Sequence, residues 1–155
     1  MSNRVATETF SDFVHRVEPR LGDALVAALG PELGREAAEE ALIWAWEHWE
    51  RAQNLESPVG YLFRVGRTKA KRYRRRSPLL PAPPPDRLPW IEPALAPALA
   101  ELPERQRTAV LLIHGFGWTY AEVAEFLGVA VGTVQTHVER AMAKLRSVLE
   151  VADVG

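Results

Sequence analysis

Residues 64 to 76 carry the most distinctive chemistry in this chain, because eight of these thirteen side chains are basic and none is acidic. A solvated helix face normally mixes charges of both signs, and here no acid three or four residues away relieves the repulsion. A phosphate backbone supplies negative charge at this density, so the run indicates binding to nucleic acid. Tyr61, Phe63 and Tyr73 lie among the cations and could stack on unpaired bases, although burial is the commoner outcome for aromatic side chains.

A second candidate for DNA contact is the stretch from Thr119 to Leu145, which predicts two short helices joined by a tight turn. Thr119 and Glu122 form a capping box that indicates a helix start at Tyr120, and Gly128 can adopt the positive φ that ends this helix. Apolar residues at helical spacing define the buried side of the next helix: Val134, Val138, Ala141 and Leu145. The residues left on its solvent side are Thr133, Gln135, Thr136, His137 and Arg140. The pattern predicts a helix-turn-helix, and a plain helical hairpin with one core is the alternative.

Two amphipathic segments precede the cationic run. Residues 7 to 29 predict one helix or a bent pair with Pro19 at the bend, because apolar residues recur every three to four positions. After the Gly30-Pro31 breaker, a second helix is expected from Glu36 to Arg51. Its predicted core side consists of Leu42, Ala45, Trp46 and Trp49. Trp44 falls on another side, where core packing is the first interpretation and a partner surface the second.

The cationic run belongs to a third predicted helix, from Ser57-Pro58 to about Arg75. A serine can accept from the free amides of a first helical turn, and proline is tolerated at the first helical position. The inward stripe is Val59, Leu62, Phe63, Gly66, Ala70 and Tyr73. Arg64, Arg67, Lys71, Arg74 and Arg75 share a neighbouring face, which Lys69, Arg72 and Arg76 widen. Helical spacing therefore gathers the cations on one surface.

Residues 77 to 93 contain seven prolines, too many for a helix or a central strand, and predict an extended linker. A proline-rich recognition motif is the rival interpretation. Beyond it, four helices are expected at about 94–101, 103–114, 119–127 and 131–149. The predicted fold class is all-α, with small helical domains at 1–76 and 94–155, each marginal on its own.

Composition narrows the class of function further. The absence of cysteine excludes disulfides and thiolate metal sites, and the four histidines lack metal-ligand spacing, so we expect no metal. We find no phosphate-binding glycine loop, activated nucleophile or plausible carboxylate pair, and we expect no catalysis and no cofactor. No apolar run reaches the length of a membrane span and no apolar signal segment follows Met1, which predicts a cytoplasmic protein without membrane contact. The net charge of −1 hides the basic run between two acidic regions.

The order of these motifs resembles a bacterial RNA polymerase sigma factor of the compact extracytoplasmic-function (ECF) group, over nearly the whole chain. The stretch 36–47, Glu-Ala-Ala-Glu-Glu-Ala-Leu-Ile-Trp-Ala-Trp-Glu, is similar to the family's polymerase-docking helix. The stretch 57–67, followed by Arg74-Arg-Arg, resembles the helix that melts the promoter and reads its minus-10 element. Leu102-Pro-Glu-Arg-Gln-Arg, the stretch 119–129 and Val131-Gly-Thr-Val resemble the family's domain 4, which reads the minus-35 element.

The resemblance implies a non-catalytic subunit whose partners are core RNA polymerase and promoter DNA. It also implies that the linker runs through the polymerase and that the N-terminal domain docks on the clamp. An anti-sigma protein that holds the two domains would be a further partner. The residues expected to bind polymerase are Glu36, Glu39, Glu40, Trp44 and Glu47. The residues expected to bind DNA are Arg64, Arg67, Lys71, Arg74, Arg75, Thr119, Tyr120, Thr133, Gln135, Thr136, His137 and Arg140.

The chain departs from the family pattern at both DNA-contacting helices. Thr68 stands where the family commonly has asparagine, and Arg72 where it often has aspartate, which puts capture of a minus-10 base in doubt. On the reader helix, Ala130 stands where serine is usual, and Gln135 and His137 where basic residues are usual, while Glu139 adds a negative charge. Fewer cations release fewer counterions, so minus-35 binding would be weaker or would depend more on base contacts.

Two other interpretations remain open. The stretch 132–138, Gly-Thr-Val-Gln-Thr-His-Val, also resembles the reader helix of LuxR-type regulators, so a stand-alone DNA-binding regulator is one alternative. The N-terminal half argues against it, because it matches sigma domain 2 and shows no ligand-sensing domain. The second alternative is a sigma-like protein that acts through a protein partner, which the low basicity of the reader helix favours.

Overall fold

The computed structural model describes residues 8–71 and 94–153, and every regular element in these two ranges is a helix. The predicted all-α fold class is confirmed. The helices of the N-terminal half (residues 8–71) are α1 (Phe10–Leu29), α2 (Pro31–Glu47), α3 (Trp49–Ala52) and α4 (Pro58–Ala70). Those of the C-terminal half (residues 94–153) are α5 (Leu95–Glu101), α6 (Glu104–Val110), α7 (Tyr120–Leu127) and α8 (Val131–Asp153).

Helix α1 is continuous, so the predicted alternative of a bend at Pro19 is wrong. Thr9 caps the helix by accepting from the Asp12 amide at 3.1 Å. Fully buried side chains lie on both sides of the proline, Val17 before it and Leu21 after it. Their burial on both sides of Pro19 favours one continuous helix, although the proline removes one helical hydrogen bond. Helix α2 begins at Pro31, five residues before the predicted start at Glu36, and ends at Glu47.

Two glycines allow α2 to approach its neighbours closely. A Cβ built on Gly34 would lie 2.6 Å from the backbone of Val26 on α1, and one on Gly66 of α4 would lie 2.7 Å from the Ala37 carbonyl oxygen. Both distances are shorter than a carbon atom tolerates, so these positions require glycine. The α2 surface between them is a stripe of small buried residues: Ala37, Ala38, Ala41 and Ala45. Helices α1, α2 and α4 therefore pack at short range around one core.

The predicted burial of Trp46 is wrong, because the same close packing leaves its side chain outside the core. Trp46 is 62% exposed and Ile43 is 56% exposed, while Ala45 is fully buried. The α2 surface that meets α1 consists of alanines, and a helix contact at that distance leaves no room for an indole ring. Trp46 instead lies at the rim, with its ring 4.9 Å from that of Phe10 in an edge-on arrangement.

The four helices predicted in the C-terminal half are all present, and one feature between them was not predicted. Helix α6 continues into a π-helical turn at Leu111–Gly115. The carbonyl of Leu111 accepts from the Phe116 amide at 3.0 Å, and that of Leu112 accepts from the Trp118 amide at 2.8 Å. This wide turn brings Trp118 back towards the core, where it is 7% exposed. It sets the position from which α7 begins.

The two halves pack directly against each other. Arg107 of α6 is 3% exposed and donates to the Ala28 carbonyl of α1 at 2.7 Å. The Trp118 indole donates to the Asp23 carboxylate at 3.2 Å. One continuous cluster of buried apolar residues includes side chains from both halves, among them Phe13, Leu62, Leu112 and Val134. The division into domains at 1–76 and 94–155 stays a prediction, and the linker at 77–93 lies outside the described residues.

Candidate nucleic-acid interface

The inward stripe predicted for α4 is confirmed at four of its six positions, while Val59 is partly buried and Tyr73 lies outside the described residues. Leu62, Phe63, Gly66 and Ala70 are buried. Pro58 is the first helical residue, as predicted. The cap expected from Ser57 is wrong, because its side chain accepts no hydrogen bond from any described residue of the first turn. Ser57 has ψ near 78°, whereas Thr9 and Thr119 have ψ of 159° and 157°, which is the extended conformation that aims a capping oxygen at the helix.

The predicted basic surface of α4 is present where the structure describes it. Arg64 and Lys71 are exposed, and we call Arg64, Arg67 and Lys71 the cationic face. Arg67 is partly covered and pairs with Glu104 of α6: Nη2 donates to Oε2 at 2.9 Å, and Nε lies 2.8 Å from Oε1 without a hydrogen bond to it. Arg74 and Arg75 lie outside the described residues. The cationic face therefore starts in solvent at Arg64 and touches the C-terminal half at Arg67.

An aromatic cluster adjoins the cationic face. The rings of Trp44 and Tyr61 are 5.3 Å apart, and the Arg51 guanidinium lies 5.3 Å from the Tyr61 ring and 5.8 Å from the Trp44 ring. A shallow groove of about 560 Å³ lies beside them, and its lining residues are Trp44, Tyr61, Arg64, Val65, Thr68 and Lys69. Flat rings bordered by cations match the π-face and phosphate of an unpaired nucleotide. Sequence reasoning identified Tyr61 but missed Arg51, because no sequence spacing links Arg51 to α4.

The other two aromatic candidates do not contribute to this groove. Phe63 is 8% exposed and packs edge-on against Phe126 of α7, with ring centroids 4.8 Å apart. Burial, the commoner outcome for an aromatic side chain, is what the structure shows for Phe63. Tyr73 lies outside the described residues.

The predicted helix-turn-helix is present as α7 and α8. The capping box at the start of α7 is complete: Thr119 Oγ1 accepts from the Glu122 amide at 3.1 Å, and Glu122 accepts from the Thr119 amide at 3.4 Å. Gly128 ends α7 in the left-handed conformation with φ of 69°. The four apolar positions predicted for the inner side of α8 are all buried: Val134, Val138, Ala141 and Leu145.

Four of the five residues predicted on the solvent side of α8 are exposed: Thr133, Gln135, Thr136 and Arg140. We call these four residues the reader face. His137 is the exception, and its predicted exposure is wrong: both ring nitrogens are covered and have no hydrogen-bond partner among the described residues. It lies one residue before the buried Val138, and the residue as a whole is partly covered. At the start of α7, Thr119 is exposed and Tyr120 is partly covered.

The residues predicted to bind polymerase lie on or near the outer side of α2. Glu36, Glu39 and Glu47 are exposed, and Glu40 is partly covered. Trp44 is also partly covered, because its ring stacks on His48 at 4.5 Å and faces Tyr61. Sequence reasoning missed Ile43 and Trp46 as exposed apolar residues of this surface, because it placed Trp46 in the core.

The described residues contain no group of acidic, histidine or cysteine side chains that could hold a metal ion. None of the helices described is both long and apolar enough to cross a membrane. Away from the candidate surfaces, the Arg16 guanidinium donates to Glu8 at 2.9 Å, which lowers the pKa of Glu8 and raises that of Arg16.

Comparison with known proteins adds an independent result for the C-terminal half. The family model for sigma-70, region 4 matches residues 94–145. The ECF RNA polymerase sigma factor EcfG of Rhodopseudomonas palustris is 43% identical over 54 residues, which are 35% of this chain and 30% of EcfG. The ECF sigma factor SigM of Mycobacterium tuberculosis is 40% identical over 72 residues, 45% of this chain and 37% of SigM. The chain thus spans about a third of the length of the curated relatives that it matches.

Two solved structures have a similar fold over most of the chain. The sigma factor RpoE of Bartonella quintana, solved in complex with the anti-sigma factor NepR, aligns with a TM-score of 0.61 and 22% identity, over 92% of this chain and 97% of RpoE. CnrH, solved with the cytosolic domain of CnrY, aligns with a TM-score of 0.60 and 26% identity, over 92% of this chain and 88% of CnrH. At this level of identity the RpoE likeness concerns the fold alone.

The described part of the chain is all-helical and contains a helix-turn-helix, the motif with which many transcription factors bind DNA. The region 4 match, the two curated relatives and the solved structures then confirm the family predicted from the sequence. In its region 4 sequence the chain is similar to ECF sigma factors, and its fold is that of the solved sigma factor structures. These findings favour a sigma factor over a LuxR-type regulator.

Proposed function

We propose that this chain binds core RNA polymerase and directs it to specific promoters by contacting DNA with both halves. The observation that carries the proposal is the exposed reader face of α8 within a segment that matches sigma region 4. A helix held by a helix-turn-helix can enter the major groove and read base edges. In this role the C-terminal half reads the minus-35 element and the N-terminal half acts at the minus-10 element. The chain itself catalyses no reaction, needs no cofactor and works in the cytoplasm.

The cationic face of α4 and the adjoining groove support the minus-10 role. Arg64 and Lys71 can contact phosphates without moving any other element, because both are exposed. Tyr61 and Trp44 offer flat surfaces beside them for unpaired bases. Such stacking is worth about 1–3 kcal/mol per base and tolerates different sequences. Helix α4 therefore supplies affinity for melted DNA more than it supplies sequence preference.

Docking on polymerase is assigned to the outer surface of α2. The acidic residues Glu36, Glu39 and Glu47 are exposed on this helix, and Ile43 and Trp46 add exposed apolar area. An apolar centre surrounded by charges is the usual anatomy of a protein interface. We assign Glu40 and Trp44 to the rim of this surface because both are partly covered.

An anti-sigma protein is a proposed further partner. RpoE, which shares this fold, was solved in complex with the anti-sigma factor NepR. The similarity covers both halves of the chain, so a partner of this kind would contact a surface built in the same way.

The second candidate function is action through a protein partner without promoter recognition. It is favoured by the reader face, whose one cation, Arg140, adjoins the exposed acid Glu139. A face with so little positive charge gains little from counterion release. Promoter recognition remains our proposal, because Gln135 and Thr136 can still form base contacts.

The deciding experiment combines the purified chain with core polymerase. We expect the chain to co-purify with core polymerase and to support transcription from a cognate promoter. Co-purification without promoter-dependent transcription would favour the second candidate. Binding to duplex DNA without association with core polymerase would contradict a sigma role and return the LuxR-type interpretation.

Phosphate contact by α4 has its own test. We expect Arg64→Ala to weaken DNA binding equally on all sequences and to lower the slope of log affinity against log salt by about 0.9 for duplex DNA. Arg35→Ala is the matched control, because Arg35 is an exposed arginine on α2, away from the cationic face. Equal slopes for the two variants would remove α4 from the DNA interface.

A further inference from the structure

The ion pair between Arg67 and Glu104 joins the candidate DNA surface to the opposite half of the molecule. Both guanidinium contacts are short, at 2.8 and 2.9 Å, and 37 residues separate the partners in sequence. The Glu104 side chain is 19% exposed and that of Arg67 is 41% exposed. An ion pair that includes a hydrogen bond and is partly shielded from water is stronger than an ordinary surface ion pair.

This contact uses the same donors that a phosphate would use. The planar fork of an arginine matches a carboxylate and a phosphate equally well, through two parallel N–H groups. In Arg67 the Nη2 group donates to Glu104 Oε2, and Nε lies 2.8 Å from the other carboxylate oxygen without a hydrogen bond to it. A DNA phosphate can therefore bind this edge of Arg67 only after the carboxylate has left.

The position of Glu104 links that exchange to the packing of the two halves. Glu104 is the first residue of α6, and Arg107, one turn later, donates to the Ala28 carbonyl of α1. A cleft of about 380 Å³ between the halves borders the ion pair, and its lining includes Arg64, Arg105 and Glu125. Phe63 and Phe126 pack face to edge beside it. Glu104 is thus held against α4 by the contacts that hold the halves together.

We propose that Glu104 is an autoinhibitory group: in the closed arrangement of the halves its carboxylate occupies Arg67 in place of a nucleic-acid phosphate. This inference rests on the proposed DNA contact by α4. By linkage, a phosphate bound at Arg67 weakens the packing of the C-terminal half, and any partner that separates the halves strengthens DNA binding by the same factor. Arg64 and Lys71 form the part of the cationic face that is open in the closed arrangement, and Arg67 the part that is covered.

The test compares Glu104→Gln with Glu101→Gln in the full chain. Both variants remove one negative charge from neighbouring positions, and Glu101 is exposed on α5. The probe is a fluorescently labelled duplex of random sequence, because phosphate contact does not depend on sequence. We expect Glu104→Gln to bind about two- to fivefold more tightly than Glu101→Gln, the range that a partly exposed ion pair corresponds to. We also expect its salt slope to rise by about 0.9.

A double variant shows whether the gain passes through Arg67. In an Arg67→Ala background, Glu104→Gln and Glu101→Gln should bind the duplex equally, because the released guanidinium is absent. A gain that persists in this background would overturn the proposal, since it would reflect general charge repulsion. Equal binding of the two single variants would also overturn it. Thermal unfolding of each variant checks that the fold is retained. Glu104→Asp keeps the negative charge but shortens the side chain, so it should also bind the duplex more tightly than the wild-type chain if contact with Arg67 is what opposes DNA.

The failure of this inference can be told from the failure of the proposed function. If Arg64→Ala weakens binding while Glu104→Gln matches Glu101→Gln, α4 binds DNA and Glu104 does not oppose it. If neither Arg64→Ala nor Glu104→Gln changes binding, α4 is no part of the DNA interface, and both proposals fail.

Discussion

The cationic face of α4 and the reader face of α8 are both candidate DNA surfaces, yet they differ in charge and in what contacts them. On α4, Arg64 is open to solvent and Arg67 is paired with an acid from the other half. On α8, the reader face is exposed and combines one cation with hydroxyl and amide groups. The two faces are therefore suited to two different tasks. In the proposed function, affinity depends on charge and would be opposed by Glu104 at Arg67, whereas sequence preference would depend on Gln135 and its neighbours, which no acid from the other half covers among the described residues.

The largest expected effect comes from the buried hydrogen bond between the two halves, which Arg107 donates to the Ala28 carbonyl. Arg107→Ala should lower the free energy of unfolding by about 3 kcal/mol or more, because it leaves the Ala28 and Leu102 carbonyls without a buried charged donor. Denaturant unfolding followed by circular dichroism measures this change.

Arg105→Ala is the control, since Arg105 lies on the same helix but is exposed, and its change should stay within about 0.5 kcal/mol. If the two variants have the same free energy of unfolding, the packing between the halves contributes little to stability. The halves would then not hold Glu104 against Arg67, and α4 would be as open to DNA as the reader face of α8.

An intermediate effect is expected at the reader face. Gln135→Ala should reduce discrimination between the best promoter sequence and its single-base variants by about 1–3 kcal/mol, because an exposed glutamine amide can bind adenine at two points. Competition binding across a set of duplexes measures it. Ser147→Ala, an exposed change further along α8, should leave discrimination unaltered. A uniform loss of affinity on every duplex would show that Gln135 contacts the backbone and that α8, like α4, provides affinity only.

The smallest effect distinguishes the starts of the two helices. Thr119→Ala should cost about 1 kcal/mol, because Thr119 caps α7 through the Glu122 amide. Ser57→Ala at the start of α4 should cost less than about 0.5 kcal/mol, because the structure gives its side chain no capping role. The two unfolding free energies, measured under one condition, test this difference. Equal costs would mean that Ser57 caps α4 in solution.

Most of the fold could be predicted from local patterns. The capping box at Thr119, the left-handed turn at Gly128 and the proline start at Pro58 involve residues close in sequence, so their chemistry acts before any tertiary contact forms. The apolar stripes of α4 and α8 follow from helical spacing alone. The cations were likewise assigned to one surface, and Arg64 and Lys71 are exposed on it.

The failures share a physical cause. Helix periodicity gives the direction of a side chain but not the distance to the neighbouring helix. Trp46 points outwards because an alanine stripe brings α1 and α2 too close for an indole. His137 lies at the edge of the stripe that α8 buries, and its ring nitrogens are covered although its spacing predicted exposure.

The sequence by itself determined the helices, the helix-turn-helix, the position of the positive charge and the resemblance to ECF sigma factors, because each depends on motifs of residues close to one another in the chain. Only the tertiary structure decided which of those groups meet. Three contacts join residues of different helices: Arg67 with Glu104, Arg107 with Ala28, and Trp44 with Tyr61. Their spacing in the sequence does not predict these contacts. The packing of the two halves brings them together, and it turns one of the predicted DNA contacts, Arg67, into a group that the molecule itself already occupies.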